Sequence, residues 1–119
     1  MRSREAADRV RHDLGKYVHL EARWLGEDST ESEYREALRT DLLRTRRGPN
    51  GDEDFRTLWS RLRPSVESFD TREVDEVVAA LALDVPRLGE LDLPGLRAVG
   101  QRAHKLGEAC RRLSEQAED

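Results

Sequence analysis

The spacing Leu96, Val99, Ala103, Leu106, Cys110, Leu113 restricts the fold more than any other feature of the chain. Its steps alternate three and four, the a/d repeat of a helix that lays one narrow apolar seam against its neighbours. The repeat spans about 26 Å of helix axis, so the seam has to be covered along its length by other helices. Gly100 and Gly107 lie one heptad apart. With Ala103 and Cys110 they form a ridge of small residues that another helix can approach closely. Pro94 suits the first position of this helix, where its missing N–H leaves no bond unmade.

The rest of the chain repeats the theme. Ala7, Val10, Leu14, Tyr17 and Trp24 mark a first amphipathic helix from about Ser3 to Trp24, closed by Gly26. Glu21 fills the remaining slot in that stripe. If buried there it must be paired, with an arginine of this chain or of a second copy; otherwise the stripe has reached the end of the bundle. "STESE" opens a second helix with Thr30 and Glu33 spaced as a capping box. Tyr34, Leu38 and Leu42 form its apolar face, and "RRGPNG" ends it. A third helix opens near Asp52, turns Phe55, Leu58, Trp59 and Leu62 inward, and bends at Pro64. A fourth starts at a second capping box, Asp70 with Glu73, and carries Val74, Val77, Val78 and Leu81 as far as Asp84. Leu88, Leu91 and Leu93 pin the following connector to the core. Nothing alternates with period two over a useful length, so no sheet is expected. These readings give an all-α single domain over residues 1–119: an antiparallel helical bundle of four long helices plus one short bent helix.

Charge and composition narrow the function classes. Charged residues make up 39% of the chain and the net charge is −4, a balance that argues against a general nucleic-acid binder. Arg44, Arg46, Arg47, Arg56, Arg61 and Arg63 do make the middle section locally basic. There the arginines ending the second helix complement its dipole and the others face water. Cys110 is the one cysteine, which precludes an internal disulfide and fits a reducing compartment. The opening "MRSREAADRVRHD" holds no apolar run of a signal peptide. No stretch approaches the ~20 apolar residues of a membrane span. A cytoplasmic protein with no membrane partner is expected.

Chemistry is suggested in one place, "RVRHDLGKYVHLEARWL". At about 100° per residue, His12 and His19 fall opposite the apolar stripe, in a basic strip with Lys16 and Arg23. The two histidines lie roughly 10 Å apart along the axis, too far to share one metal ion. No metal and no cofactor is expected. "GPNG" lacks the Lys-Ser/Thr of a phosphate loop. There is no catalytic constellation beyond a candidate phosphoacceptor histidine, which leans the reading away from an enzyme without deciding it. His12 is that candidate: Asp13 beside it can orient the ring, Gly15 leaves room, and Lys16 one turn on can neutralise a phosphoryl group.

On these residues "HDLGK" resembles the phosphoacceptor helix of sensor-kinase dimerisation domains, where an acidic residue follows the histidine. It is also similar to histidine phosphotransfer domains, whose histidine is followed by a lysine and a glycine on the next turn, here in transposed order. The resemblance implies a helical bundle with His12, Asp13 and Lys16 at its site and a receiver-type or kinase partner. "AHKLGEACRRL" repeats the theme at His104, with Glu108 where a cation would help. Two functions stand at this point. One is a helical protein–protein interaction module, a regulator or adaptor in bacterial signalling, binding another protein or itself as a homodimer. The other is a histidine phosphotransfer-like protein with His12 as phosphoacceptor.

Overall fold

The computed structural model describes residues 2–15, 28–49 and 51–118. They are mostly helical: α1 (Arg4–Val10) continued by a π-helical turn (Arg11–Gly15), α2 (Glu31–Leu42), α3 (Phe55–Leu62), α4 (Arg72–Asp84) and α5 (Leu93–Ser114). Short 3₁₀ turns follow α3 (Arg63–Val66) and α4 (Val85–Arg87). The bend expected at Pro64 is the first of these.

The helix α5 organises the rest. Asp92 caps it, its carboxylate accepting from the Gly95 N–H at 2.9 Å, and Pro94 occupies the second helical position. All six residues of the heptad are buried, with Gly100, Ala109 and Ser114 beside them. The seam is covered from several sides within the chain, by α4, the π-helical turn, α2 and α1. The buried apolar side chains form one continuous cluster in which Ala7, Val10 and Leu14 meet the seam of α5 together with Leu38, Leu42, Leu58, Leu81 and Leu88. Leu91 is partly buried against this cluster, whereas Leu93 lies in the first turn of α5 and does not join it.

Buried and half-buried ion pairs fix the helices to one another. Asp84, 5% exposed, takes two bonds from Arg102 at 2.7 and 2.8 Å and so joins α4 to α5. Asp75 accepts from Trp59 Nε1 at 2.8 Å, from Thr71 Oγ1 at 2.9 Å and from Arg63, joining α3 to α4. Arg35 donates to the carbonyls of Leu88 and Leu91, joining α2 to the connector. The arginines of the middle section do not simply face water: Arg56, Arg61 and Arg63 each hold a carboxylate, of Asp54, Glu53 and Asp75.

Three local expectations are corrected. A two-stranded antiparallel hairpin, β1 (Arg46–Gly48) and β2 (Gly51–Glu53), stands where no sheet was expected. Gly51 has φ of +111°, a conformation open to glycine and strained for other residues. The helix α3 begins after Asp54, not at Asp52; Asp54 accepts from the Arg56 and Thr57 N–H groups. The capping box forms at Thr30–Glu33 but not at Asp70–Glu73. There the cap position falls to Thr71, whose hydroxyl goes to Asp75. Asp70 accepts from the Arg72 N–H and guanidinium, and Glu73 is drawn away by Arg112 on α5.

Candidate functional site

The π-helical turn puts His12 on the outside of the molecule. The Arg11 N–H is shared between the Ala7 and Asp8 carbonyls where α1 ends and the turn begins. Such turns insert a residue into a helix and recur at functional positions. Val10 just before it and Leu14 within it are fully buried, and the His12 side chain is 73% exposed. Its Nδ1 lies 3.2 Å from Asp13 Oδ1. With the proton on Nδ1, the ring donates to the carboxylate and presents Nε2 to solvent as the free acceptor. Of the residues expected at this site, His12 and Asp13 are brought together. Lys16, His19, Glu21, Arg23 and Trp24 lie outside the described residues, so the charge partner assigned to Lys16 is not placed.

Gly15 does not serve the imidazole. A Cβ built there would stand 3.1 Å from the Cys110 Cβ and 3.9 Å from the Gly107 Cα. From the other side, a Cβ on Gly107 would meet the Gly15 carbonyl oxygen at 3.3 Å. The glycine pair lets the turn sit directly on α5, so the room that Gly15 provides is filled by α5. Cys110 forms the floor of this contact, and burial pushes its thiol up to about 12. It is held as a small apolar side chain.

Beside the turn lies a second charged group of residues. The helix α3 packs against the π-helical turn and against β2. Arg61 of α3 donates to both Glu53 carboxylate oxygens, at 2.7 and 3.1 Å, although Glu53 is only 7% exposed. Hydrogen bonding from Arg61 holds the Glu53 carboxyl below its usual range. The negative charge of Asp13 acts on the same pair, raising both the carboxyl and the guanidinium. Asp13 therefore contacts the His12 ring, and its charge also reaches the Arg61–Glu53 pair. The Glu53 carboxylate folds over Gly48 so tightly that a Cβ there would meet it at 2.5 Å. Glu53 and Arg61 escaped the reading of the sequence. Their signal is faint: a glycine-bracketed "GPNGDE" and an arginine eight residues further on.

His104 is also exposed, on α5, and its Nε2 meets Glu108 Oε1 at 3.0 Å. Glu108 in turn contacts Arg112, which holds Glu73 of α4. Here the carboxylate belongs to an inter-helix ion-pair chain. A shallow groove of about 270 Å³ opens beside that chain between α4 and α5, rimmed by Arg72, Glu73, Glu76 and Arg112. No helix among the described residues is long and apolar enough to cross a membrane.

Comparison with known proteins finds no matching family model, no matching curated protein and no matching solved structure.

Proposed function

We propose that this chain is a helical protein-interaction module of bacterial-type signalling, and that it docks its partner through the π-helical turn with His12 at the crest. One observation carries the reading: an exposed imidazole whose Nδ1 is within hydrogen-bond distance of a neighbouring carboxylate. An exposed side chain ordinarily keeps its rotamer freedom, and ordering it in advance lowers the entropy lost when a partner binds. The account extends to the chain as an antiparallel bundle with the hairpin as an appendage.

The exposed Nε2 favours a second reading, phosphoryl transfer from a receiver-type aspartate to His12. With Nδ1–H donating to Asp13, the ring keeps Nε2 as its nucleophilic nitrogen. The two readings separate in one experiment. Isotope-labelled protein is titrated with receiver domains of its host, unphosphorylated and then phosphorylated. Docking predicts shifts centred on Arg11–Gly15 with either form, and phosphoryl transfer adds uptake of label that His12→Gln abolishes. Shifts centred on α4 and α5 instead would refute both.

A further inference from the structure

From Val77 to Leu83 the helix α4 carries no charge, in a chain of which 39% is charged. Only part of that run faces the core. Val78 and Leu81 are buried, whereas Ala79 is exposed and Leu83 is 72% exposed. At about 100° per residue Arg72, Glu76, Ala79 and Leu83 share one outward strip, with Ala80 at its edge. The exposed positions of α2 and α3 carry polar side chains alone, so an apolar strip on an outward helix face sets α4 apart from them. Its two ends are charged and of opposite sign. Glu76 lies at one end, and Arg87 of the following 3₁₀ turn lies at the other; both are exposed. Asp84, Val85 and Leu88 keep right-handed helical backbone, so that turn prolongs α4 without a break. Arg72, one turn before Glu76, is taken by Asp70 at 2.8 Å. Among the described residues neither Glu76 nor Arg87 has an ion-pair partner.

We propose that this strip pairs with its own copy on a second molecule, antiparallel about a two-fold axis. Such a contact is self-complementary only if the two ends of the strip attract each other. Glu76 and Arg87 meet that condition: turned end for end, Glu76 of each copy faces Arg87 of the other. The same register brings Leu83 of each copy over Ala79 and Ala80 of the other, a large side chain on two small ones. The alanines let the helices approach closely, and the leucines fill the space on either side of the axis. A parallel pair would oppose like charges at both ends, and a partner of one uniform charge would be repelled at one end. Exposed ion pairs add little affinity, so they fix the register while the leucines supply the burial. The contact is about 20 Å long. Interfaces this small are transient, so the dimer is expected at concentrations on the order of 0.1 mM. No residue of the strip belongs to the π-helical turn, so pairing through α4 is separate from docking at His12.

Sedimentation equilibrium of the full chain, up to about 1 mM, tests this. Wild type should pass reversibly from monomer to dimer. Leu83→Glu should weaken pairing about tenfold or more, because it removes the apolar centre of the contact. At so exposed a position the change leaves the helix intact, which circular dichroism checks. Glu76→Arg and Arg87→Glu each bring like charges together and should each weaken pairing several-fold. Glu76→Arg with Arg87→Glu exchanges the two ends and should recover the wild-type affinity. Wild type that stays monomeric to about 1 mM would overturn the proposal and leave the strip to a different protein. Leu83→Glu that pairs like wild type would move the dimer to another face and overturn it as well. A double exchange that pairs no more tightly than either single change would refute the antiparallel register.

Discussion

Replacing Gly15 by alanine sets two effects of known size against each other. In a helix the change gains about 0.5–1 kcal/mol, because alanine loses less backbone freedom on folding. Here the added methyl would stand 3.1 Å from the Cys110 Cβ, closer than carbon atoms ordinarily pack, with the Gly107 Cα at 3.9 Å behind it. Relief requires the turn to lift or α5 to move. The helix α5 is hemmed by α4, α2 and α1, and Leu106 and Cys110 beside the contact are fully buried. Overpacking of this kind costs about 1–3 kcal/mol, so the clash outweighs the propensity gain and Gly15→Ala should destabilise by roughly 0.5–2 kcal/mol. Urea unfolding followed by circular dichroism measures it. A second variant locates the cause. Cys110→Ala keeps the offending Cβ while removing the Sγ that lies 3.8 Å from the added methyl, so Gly15→Ala should still destabilise in that background, with the two neighbouring changes coupled. An alanine at 15 that raises stability would refute the close approach, and Gly15 would again be free to serve His12.

The other predictions concern the core and the hairpin. Leu106→Ala removes a fully buried side chain at the centre of α5 and should cost about 2–5 kcal/mol, seen as a large drop in urea midpoint. Arg61 depresses the Glu53 carboxyl in the folded state, so this pair contributes stability above the unfolded glutamate value of about 4.3 and loses it as pH falls through the lower folded value. Glu53→Gln should therefore flatten the stability–pH curve below about pH 4.5, measured by urea unfolding across that range. His12→Gln and His104→Gln, on exposed rings, should each leave unfolding within roughly ±0.5 kcal/mol of wild type.

The helical framework was legible because burial is periodic. Leu96 to Leu113, Val10 with Leu14, and Phe55 with Leu58, Trp59 and Leu62 recur at helical spacing, and each set is buried. The π-helical turn leaves the Val10–Leu14 step unchanged, so nothing in the apolar pattern betrays it. The hairpin was illegible for a different reason. Three-residue strands are too short to show alternation, and Glu53 depends on Arg61 eight residues away and on the bare backbone of Gly48. The cap of α4 was misplaced by one residue because Asp70, Thr71 and Glu73 all offer oxygens, and Arg72 and Arg112 decide which are free. At the candidate site the exposure of His12 and its nearness to Asp13 could be read from the sequence. The use of Gly15 could not, since the residue that explains it, Cys110, lies on another helix.

The central claim is that His12 and its turn form the docking face, and affinity for a partner tests it most directly. Wild type, His12→Gln and His104→Gln are titrated calorimetrically against the receiver domains of the host. The account predicts that a receiver binds wild type and His104→Gln alike, and binds His12→Gln about tenfold or more weakly, as for loss of an ordered contact group. Equal affinity for wild type and His12→Gln, or binding weakened by His104→Gln instead, would contradict it.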